Sequence, residues 1–500
     1  MGFINNKKII CLASLFLLVC FFFSLPLMTV YSNSEIYENS SDRAGDEETT
    51  ITDKIQEMLY WSISRIEDVS IVILGQFYPT RNEFLLGTPT LANLITDRLK
   101  IITNPEYWKN YFQEALIEGV FIIPTPFDPV KPELLLPTTP VEAGFNASYL
   151  TFDYVDLSEV TYQWKGRTKT INDFMLTAET DCVVILHEGR IVYENYANGW
   201  EPGMLHQPWS ATKAITSTMV GIAWGEGKID SLGDPIDKYI TELKGTDWEG
   251  SSIENLLQME SGLYWDEDVP VLAFNSQIQQ WMSMLLDFLT HGLMGTTRNE
   301  YFKTMKRINE PGTVFMYNSA DTQVLAWLVE TIYDSTFAEV VSDKLWQPTG
   351  MERDAFILTD RVGSAVASQS FFALPYDLAR FGELFRNYGK NSYGRQVLPE
   401  EWIDMAINFT ENSGGRYGYQ WWNGSTELLI YEASGFLGNK VSVIPEAGIT
   451  AVRMSHHLGA NLRPNGDNPA QFSTYGFDIE MGSKEWQNMI TAVAKKLNKE

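Results

Sequence analysis

Cysteine is nearly absent from this 500-residue chain, occurring only as Cys11, Cys20 and Cys182. The first two lie in an uncharged amino-terminal stretch, so a chain that has lost that stretch keeps Cys182 alone. An intrachain disulfide is then excluded, and no cysteine cluster has zinc-binding spacing. Histidine is scarce too, at five residues. Only His456 and His457 are close together, and neighbours on a strand point to opposite faces, so the pair makes a poor metal site and a structural role is expected for it. No Gly-x-Ser-x-Gly occurs, which removes the serine elbow of the α/β-hydrolases. Positive charge is also short. With 37 Lys and Arg against 64 Asp and Glu, the net charge is −27. A nucleic-acid partner needs a basic stripe, and none is present. No cofactor or metal is implied.

What the chain does have is apolar substance: 44% hydrophobic and 13% aromatic side chains, enough for a large core. At the amino terminus Lys7 and Lys8 precede an uncharged run from Ile9 to Phe23, followed by Pro26 and Val30-Tyr31-Ser32. This reads as an export signal ending near residue 32, or as a retained membrane anchor, since the uncharged stretch continues to Ser34. The expected location is extracytoplasmic or periplasmic, tethered to the membrane if the segment is not cleaved. Residues 33–50 are acidic and polar and read as a flexible tether. Residues 51–140 form an extension of helical periodicity that ends in a proline-rich stretch with six prolines between residues 123 and 140. A catalytic-sized domain over 141–500 follows.

Within that domain, Cys182–Leu186 and Arg190–Tyr193 flank His187-Glu188-Gly189 and predict a β-hairpin. From Ala211 to Trp224 the periodicity is helical, with Ile215, Met219, Ile222 and Ala223 on one side. A mostly helical middle extends to about Tyr388. Lys440–Ile444 and Gly448–Met454 flank Pro445-Glu446-Ala447 as a second hairpin, and an amphipathic helix runs from about Lys484 to Leu497. This order predicts an α+β fold: an antiparallel sheet built from both chain ends, flanked by helices, with a mostly helical insertion.

Chemistry concentrates at Ser210 and Lys213. Positions i and i+3 share a helix face, and a serine hydroxyl becomes a nucleophile only beside a base. A lysine can be that base if burial holds it partly neutral. Chance supplies Ser-x-x-Lys about once in a chain of this size, so the setting decides. Three further segments supply it: Leu256-Leu257-Gln258-Met259-Glu260-Ser261-Gly262-Leu263, Pro311-Gly312-Thr313-Val314-Phe315-Met316-Tyr317-Asn318-Ser319, and Ala433-Ser434-Gly435-Phe436-Leu437-Gly438.

In this order residues 181–500 resemble the serine hydrolases of the penicillin-binding-protein and class C β-lactamase superfamily, and more closely its 6-aminohexanoate-dimer-hydrolase-like branch. The resemblance implies a β-lactamase-like fold and an acyl-enzyme on Ser210. Lys213 is expected in a buried polar pocket that lowers its pKa. Tyr317 is expected to relay protons, with its pKa lowered by the neighbouring cation. Ser319 stands where the family usually has Asn. Ala433-Ser434-Gly435 stands where penicillin-directed members have Lys-Thr-Gly, so the cation that pairs with a penicillin carboxylate is missing. Gly435 still lets substrate approach, and the Phe436 N–H is expected to join that of Ser210 as an oxyanion hole. The segment Glu260–Trp265 is expected to shape the pocket wall. Trp209, Tyr264, Trp265, Trp421 and Trp422 suit a greasy acyl or amide chain, although aromatics in so aromatic a chain more often fill core. The leading expectation is an exported hydrolase of small-molecule amides or esters. The alternatives are a β-lactamase or D,D-peptidase, and a catalytically silent relative that binds a ligand.

Overall fold

The computed structural model describes residues 137–499, apart from 179, 268–275, 290–291, 293–294 and 456–478. The amino-terminal leader, the acidic tether, the extension up to residue 136, and His456 and His457 therefore lie outside the described residues. All described residues belong to Pro124–Glu500, the second of two units into which the chain divides.

The chain enters through β1 (Thr138–Val141) and β2 (Thr151–Phe152), then the β3–β4 hairpin (Thr161–Trp164, Arg167–Thr170) and helix α1 (Ile171–Thr177). Next come β5 (Cys182–His187) and β6 (Arg190–Tyr196). Their connection is a two-residue turn with φ of 48° at Glu188 and 77° at Gly189. Positive φ at both positions is the hairpin turn whose twist matches the strands, which is why Glu-Gly here marks the predicted hairpin.

The central helix α2 (Thr212–Gly225) follows, then α3 (Ile253–Leu257), α4 (Ser276–Leu289), α5 (Arg298–Phe302), α6 (Ser319–Tyr333) and α7 (Phe337–Val341). Strands β7 (Ala355–Leu358) and β8 (Phe371–Phe372) interrupt this helical middle, before α8 (Pro375–Arg386) and α9 (Glu400–Ala406). The carboxyl-terminal part supplies β9 (Trp422–Asn423), β10 (Tyr431–Gly435), β11 (Asn439–Ile444), β12 (Ile449–Met454) and α10 (Ile479–Leu497).

Seven strands form the main sheet in the order β2-β6-β5-β12-β11-β10-β9. It is built from both chain ends as expected, with β5 from the early part paired antiparallel to β12 from the late part, Cys182 opposite Met454 and His187 opposite Ile449. The exception to antiparallel pairing is the edge, where β2 runs parallel to β6. Both faces are covered. Cys182, Val184 and Leu186 join the core beneath α2, α6 and α8, while Val183 and Ile185 join a second core beneath α1 and α10. A strand covered on both sides shows a continuous apolar run rather than alternation, and Cys-Val-Val-Ile-Leu is that run.

Two features differ from the sequence expectation. Helix α2 is not amphipathic: every residue from Thr212 to Ala223 is buried, because it threads the centre of the helical layer. The middle also holds a small sheet, β1-β7-β8, in which Thr138–Val141 pairs with Ala355–Leu358. Its first strand carries Pro140, which the ladder tolerates because β1 is an edge strand. Among the described residues no helix is long and apolar enough to cross a membrane.

Helix α10 docks through Trp486, Met489, Ile490, Val493, Ala494 and Leu497, the spacing of one helical face. The Trp486 indole is fully buried and donates to Ser442 Oγ at 2.8 Å. Replacing Trp486 by Ala is expected to cost about 3–5 kcal/mol. Urea unfolding followed by near-UV circular dichroism measures that loss.

Candidate active site

Ser210 sits in a tight 3₁₀ turn, Trp209–Ala211, that runs directly into α2. A helix start leaves backbone N–H groups outside the helical ladder and favours negative charge nearby. The residue before the serine, Trp209, is held at φ 50°. For a bulky side chain this left-handed conformation costs on the order of 1–3 kcal/mol, so the surroundings must impose it. They do so from both sides. Trp209 is buried with its ring edge-on to Phe436 at 5.4 Å between centroids. The preceding His206 exchanges backbone hydrogen bonds with Ala373 at 2.9 and 3.1 Å. The His206 ring meets Asp181 at 3.0 Å, with both side chains fully buried.

One turn on, Lys213 is 1% exposed. Its Nζ donates to Ser210 Oγ at 3.0 Å and to the Ser368 carbonyl at 3.1 Å. The segment that offers this carbonyl is itself fastened to the helices: Thr216 Oγ1 donates to Ala367 O at 2.8 Å, and Gln323 binds both Ala367 N and Ser368 Oγ at 3.0 Å. Burial pushes the lysine down from its ordinary 10.5 to about 8, with the charge of Glu267 opposing the shift. An amine so placed is partly neutral near neutral pH and in contact with the serine hydroxyl.

Tyr317 closes the group. Lys213 Nζ lies 4.8 Å from the centre of its ring, and its phenol is hydrogen-bonded with Ser210. The tyrosine comes from the extended stretch before α6, which Met259 holds on either side: Met316 N donates to Met259 O at 2.9 Å, and Asn318 N to Met259 Sδ at 3.3 Å. Asn318 then caps α6, its side chain accepting from Ala320 N at 2.9 Å. The direction of the Tyr317 pKa corrects the sequence expectation. Burial first and the Glu267 charge second push the phenol well up, and the hydrogen bond with Ser210 opposes them only partly. The lysine does not lower it, so the group is a neutral phenol and not a ready phenolate.

Ser319 is the first residue of α6 and is 1% exposed. Its backbone N–H donates to Glu267 Oε1 at 2.6 Å. Glu260, Ser261, Leu263 and Trp265 are buried, and Ser261 Oγ donates to Asp321 Oδ1 at 2.6 Å. This segment therefore buttresses α6 and the Tyr317 stretch, with only Tyr264 turned outward. Gly262 is required there: it has φ 79°, and a Cβ would lie 2.1 Å from the Asn309 carbonyl oxygen.

On the opposite wall the end of β10 passes the serine turn closely. A Cβ on Gly435 would lie 2.0 Å from the Pro208 carbonyl oxygen and 3.1 Å from Ser210 N. Phe436, next in the chain, lies against Trp209. Ala433 packs in the core beneath α2. Ser434 faces the other side of the sheet, where Lys440 across the ladder donates to it at 2.7 Å and pairs with Glu432 at 3.5 Å. Trp421 is fully buried in the main core, whereas half-buried Trp422 forms an aromatic wall with Tyr317 and Tyr417, at centroid distances of 5.5 and 4.7 Å.

Sequence reasoning missed Glu267, whose charge acts on Lys213, Tyr317, Asp321 and Tyr417. It lies two residues beyond the Glu260–Trp265 segment, and its contact with Ser319 is made 52 positions away in the chain. Nothing in local spacing marks it.

Comparison with known proteins gives the same frame. Residues 175–475 match the beta-lactamase family, and the chain belongs to that family of serine hydrolases. A 6-aminohexanoate-dimer hydrolase from Paenarthrobacter ureafaciens is 28% identical over 298 residues, covering 55% of this chain and 72% of the relative. A solved Bacillus anthracis structure, provisionally named a 6-aminohexanoate-dimer hydrolase, superposes with a TM-score of 0.64 at 26% identity, covering 73% of this chain and 92% of that one.

The close passage at Gly435 makes a direct test. Gly435→Ala must push the Pro208–Ser210 turn away, and is expected to cost about 1–3 kcal/mol in thermal unfolding. It should also slow labelling of Ser210 by a fluorophosphonate, read by intact-mass spectrometry.

Proposed function

We propose that this beta-lactamase-family enzyme cleaves amide or ester bonds of small molecules through an acyl-enzyme on Ser210, with Lys213 and Tyr317 as its proton-transfer partners. The observation that carries the reading is the 3.0 Å contact from Lys213 Nζ to Ser210 Oγ, made by an amine that burial lowers to about 8. Relatives named for hydrolysis of a linear amide dimer support the substrate class.

In this reading the neutral Lys213 amine takes the Ser210 proton as Oγ bonds to the substrate carbonyl carbon. The oxyanion that forms is held by the backbone N–H groups of Ser210 and Phe436. Collapse breaks the C–N or C–O bond. The leaving atom takes a proton from the Tyr317 phenol, and the phenol is refilled from the Lys213 ammonium, so the lysine returns to neutral. A phenol held well above its ordinary pKa suits this part, because it keeps its proton until a leaving group needs it. Water then attacks the acyl-enzyme, Lys213 takes its proton, and Ser210 Oγ receives it on release. Gly435 lets the end of β10 lie against the serine turn, the space beside it being filled by the Pro208 carbonyl and Ser210 N–H.

Penicillin or D,D-peptide substrates fit less well. Ala433 replaces the cation that would meet a carboxylate, and Lys440 is occupied by Glu432 and Ser434 on the other sheet face. Export, with cleavage or anchoring of the leader, rests on Lys7, Lys8 and the uncharged run after them. The proposed division of the remainder is a tether over 33–50, an extension over 51–140 and the hydrolase over 141–500.

A panel of short p-nitrophenyl esters, linear amides and nitrocefin tests the function. Ester and amide turnover with an acyl adduct on Ser210 is expected, and nitrocefin turnover would move the enzyme to the β-lactamases. Ser210→Ala should lower kcat by at least about 10³-fold, and Tyr317→Phe by about 10²–10⁴-fold. Unchanged hydrolysis in Ser210→Ala removes the proposal, and ligand binding without any adduct replaces it with a silent binding protein. Because Lys213 must be neutral to act, kcat/KM should rise with pH and level off above about 8. Below that value it should fall about tenfold per pH unit.

A further inference from the structure

Resting on that reading, we infer that Glu267 is a positioning residue of the reaction: fixed at the head of α6 beside Tyr317, it stabilises the ammonium that forms on Lys213 when the serine gives up its proton.

The placement is built. Glu267 is half-buried, and its Oε1 receives the backbone N–H of Ser319 at 2.6 Å together with the indole N–H of Trp265. Ser319 is the first residue of the fifteen-residue α6 and stands two positions after Tyr317. The carboxylate is thus anchored on the element that presents the tyrosine, and the tyrosine ring lies under the lysine amine. Both donors grip one oxygen, so the carboxylate is oriented and not free to follow solvent. Trp265 itself is buried against Phe302, which fixes the donor in turn.

The surrounding titratable groups are Lys213 on α2, Tyr317 before α6, Asp321 on α6, Tyr417 before β9, and Asp266 in the same loop. Burial pushes the Asp321 carboxyl and the Tyr417 phenol well up. Of these groups, Glu267 is the one whose charge acts on the lysine, where it opposes the effect of burial. Its consequence for the reaction has two sides. Before acylation it holds more of the lysine protonated, which lowers the fraction of active amine. During acylation it offsets the cost of making an ammonium in a buried site. It also keeps the phenol protonated, which suits Tyr317 as a donor. A simple capping role at α6 would produce none of these effects on proton affinity.

The pH dependence of Ser210 phosphonylation by a fluorophosphonate separates the two roles, because it reads the nucleophile without a leaving-group proton. In the full-length protein, Glu267→Gln should move the acid limb of that profile down by about one pH unit while lowering the plateau rate. Glu267→Asp, which keeps the charge, should hold the limb near its original position. Glu267→Met fills the same space without charge and should shift the limb as Gln does, serving if the Gln variant does not fold. An unmoved limb in a folded, uncharged variant overturns the inference, and so does failure of both uncharged variants to fold, which makes Glu267 a structural residue. Absence of any phosphonylation of Ser210 in the unaltered protein is a different result, and it removes the proposed function itself.

Discussion

Everything at the centre of this protein depends on one buried amine. Placing a lysine at 1% exposure inside a helix surrounded by core costs several kcal/mol if the group stays charged and unpaired. The fold answers in two ways. It gives the amine acceptors, Ser210 Oγ and the Ser368 carbonyl, and it lets the proton affinity fall to about 8. The Ala367–Ser368 segment, the Gln323 amide and the Tyr317 ring are arranged around that amine. Each is fixed by a contact to another helix or strand, so the pocket is stiff where the charge would otherwise draw in water.

Around this amine the two walls are held by different physics. On one side Trp209 is forced into a left-handed conformation and braced by Phe436, while the end of β10 approaches so closely that only glycine fits at 435. On the other, Tyr317 hangs from a stretch clasped by Met259 and capped by Asn318, with Glu267 as the local anion. The first wall is steric and the second electrostatic. A group on the steric side answers to volume changes, whereas a group on the other answers to charge.

Much of this was legible from the chain alone. The two hairpins carry Gly or Pro at their turns and β-branched runs beside them, and the Ser-x-x-Lys helix, the tyrosine segment and the Gly435 strand stand in the order that marks the family. The sheet assembled from both ends followed from that order. What escaped notice depends on tertiary contact. Helix α2 has apolar residues at helical spacing, yet Thr216, Ser217 and Thr218 are as buried as Ile215, because their side-chain hydroxyls find carbonyl partners. The raised proton affinity of Tyr317 reverses the expectation drawn from a neighbouring cation, since burial and the Glu267 carboxylate push it up and the lysine does not lower it. Strand β1 was hidden in a proline-rich stretch, where composition signals extension but not a partner. The buried Lys440–Glu432 pair likewise has no local signature, for its members come from two strands joined by a turn.

The pairing of β5 with β12 has a consequence in time. Residues 182–187 meet residues 449–454 across the middle of the sheet, and most of the helical layer lies between them in the chain. Loop closure over such a span is slow compared with local hairpins. During synthesis the β5–β6 hairpin is available early, but its exposed edge waits until residues 449–454 have been made. An unpaired, apolar strand edge is what a growing chain can least leave uncovered. The same connection that lets the late strand β10 close over the serine turn therefore leaves the β5 edge of the nascent chain uncovered until β12 arrives.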